Sequence, residues 1–188
     1  EETVYEDVSF GPKNLGLEKE KIDSRVRKSL EVVGLDFEAF AQRSPFSLSS
    51  GEQRRVAIAG ILALEPEILI LDEPTAGLDF AGICRVKKIL LELNKKGVTI
   101  VLISHNLDLV SEVCTRIIYL KGGKILFDGS NKEFFSQVER LKEEGIRPPD
   151  VLELLNNLRL AGFQIREETY ETKDLVEMLF SIFGGIRQ

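Results

Sequence analysis

Two adjacent carboxylates follow a short aliphatic run near the middle of the chain. Residues 68–71 read Ile-Leu-Ile-Leu, and Asp72 and Glu73 come directly after them. Such a run after a proline predicts a strand that is buried on both faces of a parallel sheet. Because successive side chains of a strand point in opposite directions, the two carboxylates can face different partners. One could hold a magnesium ion while the other orients a water molecule, although a strand that ends in solvent-exposed charges would look the same.

A second candidate site precedes a predicted helix. Residues 48–53 read Leu-Ser-Ser-Gly-Glu-Gln, in which Ser50 and Gln53 have the spacing of a capping box. This predicts a helix from Glu52 to about residue 64. Backbone amides, serine hydroxyls and the positive end of the helix dipole together favour binding of a phosphate group. An ordinary helix cap is the competing interpretation.

The single histidine of the chain, His105, follows a second aliphatic run at residues 98–104. Between the two runs, residues 81–96 repeat apolar side chains with helical period, which predicts a strand, a helix and a second strand. In an open sheet of this kind the connection is right-handed and ligands lie beyond the carboxyl ends of the strands. Although a lone histidine is more often structural, this position predicts that His105 lies near Asp72.

The remaining segments are predicted to be mainly helical. Residues 1–17 and 35–48 are predicted to be irregular connections because they are rich in Gly, Pro and Ser. Further helices are predicted at 18–33, 107–114, 148–160 and 172–183, with a hairpin over 116–128 and one helix that begins at Ser130 and carries Phe134, Phe135, Val138 and Leu141 on one face.

Composition excludes several classes of protein. The chain has 43% hydrophobic and 30% charged residues, which is typical of a folded globular protein. Its net charge of -6 and its lack of clustered basic residues argue against nucleic acid as a partner. The longest apolar runs are far shorter than the roughly 20 residues that span a bilayer.

The order and spacing of four segments resemble the ABC ATPases. These are residues 48–53, residues 68–73, the sequence Thr-Ala-Gly-Leu-Asp at 75–79, and His105. They are similar to the signature motif, Walker B motif, D-loop and switch histidine of that family. The resemblance implies an α/β fold, with a P-loop NTPase core built on a parallel sheet, a helical subdomain and a C-terminal helical extension.

The resemblance also implies roles for individual residues, with ATP and Mg²⁺ as cofactors. Asp72 would hold Mg²⁺ directly or through water, and Glu73 would be the general base that activates the attacking water. His105 would hydrogen-bond the γ-phosphate, and Asp79 would communicate between the two sites of a dimer. The signature residues would bind the ATP of the opposing subunit: Ser49, Ser50, Gly51, Glu52 and Gln53.

Two departures from the family pattern bear on these roles. Ser50 stands where a glycine is usual, and Glu52 stands where a glutamine is usual. In addition, no stretch of the 188 residues matches Gly-x-x-x-x-Gly-Lys-Ser/Thr, the Walker A loop that cradles phosphates. The family places that loop upstream, so we expect residues 1–188 alone to bind ATP poorly and to hydrolyse it negligibly.

The domain organisation follows from the same resemblance. Residues 1–50 are expected to form the helical subdomain and the approach to the signature motif. Residues 51–129 are expected to form the ATPase core. Residues 130–188 are expected to form a C-terminal helical extension that contributes to dimerisation.

Within the ABC ATPases, the chain is most similar to the subunits of energy-coupling-factor transporters, which import vitamins or transition-metal ions. The similar segments are residues 3–16, 49–60 and 145–163. The resemblance implies a second ATPase subunit, identical or different, a transmembrane coupling protein, a separate substrate-binding membrane subunit, and a peripheral location on the cytoplasmic face of the membrane. The acidic residues near the N-terminus could meet arginines of the coupling protein, or they could simply be solvated: Glu1, Glu2, Glu6 and Asp7.

Two other functions remain open at this point. A regulatory or scaffold module without ATPase activity would also lack a Walker A loop. A non-transport ABC ATPase of DNA maintenance would share the signature, the carboxylates and the histidine, but it should also carry a long heptad coiled coil, which this sequence does not contain.

Overall fold

The computed structural model describes residues 1–163, 165 and 172–183. These residues fall into two compact units, with the division between Ile103 and Ser104. The first unit holds the candidate signature helix and both carboxylates. The second holds His105 and the C-terminal helices.

The first unit begins with a cluster of helices. These are α1 (Val4–Asn14), α2 (Lys19–Val32), α3 (Phe37–Phe40) and, after a 3₁₀ turn at Pro45–Ser47, α4 (Ser50–Leu62). Their apolar faces meet in a core in which Val8, Val26, Leu30 and Ala59 have no exposed surface. The prediction of a helix over 18–33 is confirmed by α2.

Helix α1 overturns the prediction that residues 1–17 are irregular. Thr3 and Glu6 form a capping box that starts the helix, and Pro12 lies near its C-terminal end. Gly11 suggested a break, yet it serves packing: a Cβ atom there would lie 2.7 Å from Cδ2 of Leu64. The glycine therefore allows α1 to pack closely against the residues that follow α4.

The α/β part of the first unit has the predicted order. Strand β1 (Ile68–Asp72) leads through α5 (Phe80–Lys95) to β2 (Thr99–Ile103), and the two strands are parallel. The register pairs the last residue of each strand, Asp72 with Ile103. Both carboxyl ends therefore lie side by side, as the sequence predicted.

The prediction that β1 is buried on both faces is wrong for the described residues. Leu69 is 1% exposed, whereas its neighbours Ile68 and Ile70 are 60% and 65% exposed. On β2, Val101 and Ile103 are likewise exposed. The residues that the structure describes cover one face of this two-stranded sheet, and the aliphatic residues of the other face remain accessible to solvent.

The second unit combines a hairpin with short helices. Its elements are α6 (Leu107–Val113), β3 (Arg116–Lys121), β4 (Lys124–Ser130), α7 (Asn131–Phe135), α8 (Val138–Glu143), α9 (Asp150–Leu160) and α10 (Thr172–Phe183). The antiparallel hairpin is confirmed, and Gly122 and Gly123 adopt φ values of 57° and 73° at its turn. Such a turn favours glycine at both central positions.

The single helix predicted after Ser130 is two helices, α7 and α8. Ser130 caps α7 as predicted, through a capping box with Glu133. The Phe134 ring lies 5.1 Å from both the Phe127 and Phe135 rings, and Phe135 is 1% exposed. Packing of these rings against the hairpin holds α7 in place, and the chain turns before α8 begins.

Candidate functional site

The start of α4 is where the sequence placed a phosphate site. The helix begins at Ser50 and its cap is Ser49, whose hydroxyl oxygen accepts a hydrogen bond from the Glu52 amide at 3.4 Å. In return the Ser49 amide and hydroxyl donate to the Glu52 carboxylate at 2.9 and 2.7 Å. The predicted box of Ser50 and Gln53 is therefore wrong by one residue. The Gln53 side chain instead donates to the carbonyl of Pro45 at 3.1 Å.

This capping box changes the electrostatics of the helix start. Hydrogen bonds from the hydroxyl and the amide of Ser49 lower the pKa of the Glu52 carboxyl. Burial, and then the nearby Arg85, lowers the pKa of Arg55, while Glu52 acts in the opposite direction. The sequence pointed to this region but did not show that Ser49 would cap the helix with Glu52 as its capping-box partner. The Ser-x-x-Glu spacing from Ser49 was the available signal.

Gly51 lies next to the segment that resembles a D-loop. A Cβ atom at Gly51 would lie 3.8 Å from Cδ2 of Leu78, which is ordinary van der Waals contact. The structure thus brings Leu78 of this segment beside the start of α4 within the first unit. It also shows that position 51 has room for a side chain.

The two carboxylates follow one another at the end of β1. Asp72 is its last residue and is exposed, and the Glu73 amide donates to the carbonyl of Ile103 at 2.9 Å. Glu73 has φ of 45°, in the left-handed region that costs a residue other than glycine roughly 1 kcal/mol. Such strain is concentrated at functional sites in proteins, and here it falls on the predicted general base.

Residues 75–79 form a turn between β1 and α5. Gly77 has φ of 74°, and the Leu78 amide donates to the Thr75 carbonyl at 3.2 Å. Asp79 caps α5 by accepting a hydrogen bond from the Gly82 amide at 2.7 Å. Asp79 therefore has a structural function at the start of this helix, and its predicted part in communication between subunits stays a prediction.

His105 belongs to the second unit and is exposed. It lies two residues after Ile103, between Ser104 and Asn106. The Asn106 amide donates to the Ser104 hydroxyl at 3.1 Å, and the Asn106 side chain caps α6 by accepting from the Leu109 amide at 3.0 Å. The backbone around the histidine is therefore fixed by local hydrogen bonds.

A metal ion would need ligands beyond those that the protein offers here. Within the described residues, no group of three or more His, Cys, Asp or Glu side chains could hold a metal ion. Magnesium commonly takes one or two carboxylates and completes its shell with water and substrate phosphates. The exposed carboxylate of Asp72 fits this mode of binding.

Comparisons with known proteins agree with the motifs. Residues 1–76 match the family model described as ABC transporter. The energy-coupling factor transporter ATP-binding protein EcfA2 of Clostridium perfringens is 45% identical over 183 residues, covering 97% of this chain and 64% of the relative. The protein named EcfA from Methanothermobacter thermautotrophicus is 44% identical over 188 residues, covering 97% of this chain and 58% of the relative.

A solved structure is similar as well. The chain matches cbiO1 from Clostridium perfringens, described as part of the ABC transporter complex cbiONQ, with a TM-score of 0.66 and 39% identity. The match covers 82% of this chain and 61% of that structure. Our chain spans less than two thirds of the length of these relatives. In the part of the chain that the structure describes, no helix is both long enough and apolar enough to cross a membrane.

These similarities extend over nearly the whole chain and include the signature, Walker B, D-loop and histidine segments. The expected resemblance is therefore confirmed: over nearly its whole length the chain is similar to ATP-binding proteins of ABC transporters, and within them to the energy-coupling-factor group.

Proposed function

We propose that the complete protein binds and hydrolyses ATP to power an energy-coupling-factor importer of a micronutrient, either a vitamin or a transition-metal ion. The observation that carries this proposal is the paired end of β1 and β2. There, Asp72 ends β1 and Glu73 follows it. The Glu73 amide donates a hydrogen bond to the carbonyl of Ile103, the last residue of β2. This end of the sheet thus carries two carboxylates of the kind that hold Mg²⁺ and position water in phosphoryl transfer, and His105 follows β2 in the sequence.

Each of these side chains has a defined part in the proposed reaction. Asp72 would hold Mg²⁺, directly or through water, and a bound ion would supply positive charge opposite the ATP phosphates. Glu73 accepts a proton from the attacking water, a function that commonly contributes about 10²- to 10⁴-fold to the rate. His105 donates a hydrogen bond to the γ-phosphate and stabilises the charge that develops on it.

The substitution Glu73→Gln tests the proposed activity in the complete protein. The amide keeps the shape of the side chain but cannot accept the proton, so we expect ATP binding to persist while steady-state hydrolysis falls by at least about 100-fold. The matched control is Glu65→Gln, which alters a glutamate at the opposite end of β1. Unchanged turnover in the Glu73 variant would remove this residue from the role of general base.

We further propose that the start of α4 acts on ATP held by a second ATPase subunit. Residues Ser49 to Gln53 would present first-turn amides and a hydroxyl to the γ-phosphate across the dimer. The substitution Gly51→Asp places a carboxylate at this position, where the structure has space for a side chain. Repulsion between like charges should then prevent ATP-driven dimerisation and hydrolysis.

The in-trans assignment predicts a specific pattern for Gly51→Asp. ATP binding by separate subunits should survive, whereas ATP-induced association, measured by analytical ultracentrifugation, should be lost. The assignment is wrong if affinity for ATP collapses in the separate subunit while the bound fraction still dimerises normally.

The proposed partners follow from the family. They are a second ATPase subunit, a transmembrane coupling protein and a substrate-binding membrane subunit, with the chain bound peripherally at the cytoplasmic face. The Thr3 amide donates to the Glu6 carboxylate at 3.1 Å, so Glu6 is used in a helix cap. Glu1 and Glu2 are exposed and are the better candidates to meet arginines of the coupling protein. Replacing both by Gln should reduce co-purification with that protein.

The C-terminal extension is proposed to support dimerisation, and several apolar residues predicted on one face of its first helix are covered within the chain itself. Phe134, Phe135 and Leu141 are at most 5% exposed in the chain. Leu160 and Phe180 are 79% and 73% exposed and offer apolar surface for a partner subunit. Glutamate at both positions should weaken association without ATP, measured by sedimentation, while leaving the circular dichroism spectrum unchanged.

A further inference from the structure

The Glu52 carboxylate occupies hydrogen-bond donors at the start of the signature helix. One of its oxygens accepts from both the amide and the hydroxyl of Ser49. The Ser49 hydroxyl oxygen in turn accepts from the Glu52 amide. Serine, the first-turn amides and the dipole of a 13-residue helix are the groups that would attract a phosphate to this place.

A serine hydroxyl has a single proton to donate. While Ser49 donates that proton to Glu52, it cannot donate it to a phosphate oxygen. A phosphate that approaches the start of α4 must therefore displace the carboxylate from the hydroxyl or do without that hydrogen bond.

The charge of Glu52, like its hydrogen bonds with Ser49, opposes the binding of a phosphate at the start of α4. The hydrogen bonds from Ser49 lower the pKa of the carboxyl, so the group is ionised at neutral pH. A negative charge beside the helix start offsets the positive dipole end and repels a second anion. Glutamine at this position would make a similar capping box without the charge.

We propose that Glu52 is a built-in competing anion that restrains engagement of the γ-phosphate by the signature helix. The inference rests on the proposed function of this helix in binding ATP across a dimer. When the dimer closes, the Ser49 hydroxyl must then stop donating to the Glu52 carboxylate and donate to a γ-phosphate oxygen instead. The charge and hydrogen bonds of Glu52 determine how readily this exchange occurs.

The chain contains a matched control for this idea. Ser130 and Glu133 form the same capping box at the start of α7: the Ser130 amide and hydroxyl donate to the carboxylate at 2.9 and 2.7 Å, and the Glu133 amide donates back at 3.2 Å. Hydrogen bonds from Ser130 also lower the pKa of the Glu133 carboxyl. Changing Glu133 to Gln therefore removes the same charge from the same motif at a helix outside the proposed ATP site.

The experiment measures ATP-driven dimerisation of the complete protein by analytical ultracentrifugation. All variants carry Glu73→Gln so that ATP is not consumed, and each is compared with ATP, with ADP and without nucleotide. Adding Glu52→Gln should tighten dimerisation about ten-fold with ATP and leave it unchanged with ADP, because only ATP has a γ-phosphate. Adding Glu133→Gln should leave the ATP-dependent increase unchanged. The gain from Glu52→Gln should shrink at 1 M salt, where charges are screened within about 3 Å.

The possible outcomes test the inference about Glu52 separately from the proposed in-trans function. If the parent protein dimerises with ATP but Glu52→Gln has no effect or weakens dimerisation, Glu52 is only a helix cap and the inference is overturned. An equal gain from Glu133→Gln would also overturn it, because the effect would then be one of general charge. If the parent protein does not dimerise with ATP at all, the proposed in-trans function fails, and the inference fails with it.

Discussion

Strand β1 lies between two glutamates with positive φ, and the two ends of the strand use this conformation differently. Glu65, before the strand, has φ of 55°, and Glu73, after it, has φ of 45°. They are the non-glycine residues with positive φ in the part of the chain that the structure describes. The first carboxylate is fixed by ion pairs within the fold. The second belongs to the end of the sheet where ligands bind in folds of this type.

The Glu65 end is a structural junction. Arg25 from α2 forms an ion pair with Glu65 at 2.6 Å and donates to the carbonyls of Ala63 and Leu64 at 3.2 and 3.5 Å. These carbonyls lie just beyond α4, where helices leave acceptors without partners inside the helix. One side chain therefore closes the end of α4 and holds the turn into β1.

The Glu73 end is fixed through its backbone instead. The Glu73 amide extends the pairing of the two strands by donating to Ile103, while Asp72 is exposed. The same unusual backbone conformation therefore accompanies a structural ion pair at one end of the strand and the proposed general base at the other. This separation can be tested by substitutions.

The largest effect on stability is expected for Arg25→Ala. The Arg25 side chain is 13% exposed, and its removal leaves two carbonyls and the Glu65 carboxylate without this partner. We expect a loss of about 2–3 kcal/mol in the free energy of unfolding, measured by urea denaturation. If hydrolysis per folded molecule also fell strongly, the two ends of β1 would not be separable in the way we describe.

Sequence reasoning recovered the parts of this region that depend on periodicity. The order β1, α5, β2 and the position of Asp72 at a strand end follow from aliphatic runs and helical spacing. The sequence did not predict α1, because Gly and Pro residues are typical of irregular segments, whereas Gly11 serves close packing against Leu64. A tertiary contact of this kind leaves no signal in local sequence.

The exact residues of the capping box at α4 and the strained backbone of Glu73 were harder to predict. Ser49 and Ser50 are both good helix caps, so spacing alone did not decide between the boxes with Glu52 and with Gln53. The positive φ of Glu73 depends on how the chain leaves β1 beside Ile103, which is a property of the assembled sheet. The motif at Asp72 and Glu73 predicted the chemistry without predicting the backbone that orients it.

A smaller effect on the free energy of unfolding is expected when Glu65 or Glu73 is changed to Ala in one variant and to Gly in another. Both variants remove the same carboxylate, so the difference between them isolates the cost of the backbone conformation. Because Gly adopts positive φ without strain, Glu65→Gly should be more stable than Glu65→Ala by about 1 kcal/mol, and the same should hold for Glu73. Thermal and urea unfolding measure this difference. An Ala variant as stable as the Gly variant at either position would show that the positive φ relaxes there.

The smallest effect is expected for Lys28, the second cation at the Glu65 end. Its ammonium group lies 3.6 Å from the Glu65 carboxylate, and the lysine side chain is 70% exposed. Exposed pairs of this kind contribute roughly 0–1 kcal/mol because water and salt screen the charges and the long side chain loses rotamer freedom. We therefore expect Lys28→Gln to lower the free energy of unfolding by less than about 0.5 kcal/mol.

A double-mutant cycle with Glu65→Gln should give a small coupling energy for Lys28 and a larger one for Arg25. Arg25 is largely buried and also donates hydrogen bonds to the carbonyls that follow α4. Equal couplings would mean that net positive charge near Glu65 suffices, and that the directed hydrogen bonds of the guanidinium do not distinguish this end of β1 from the other.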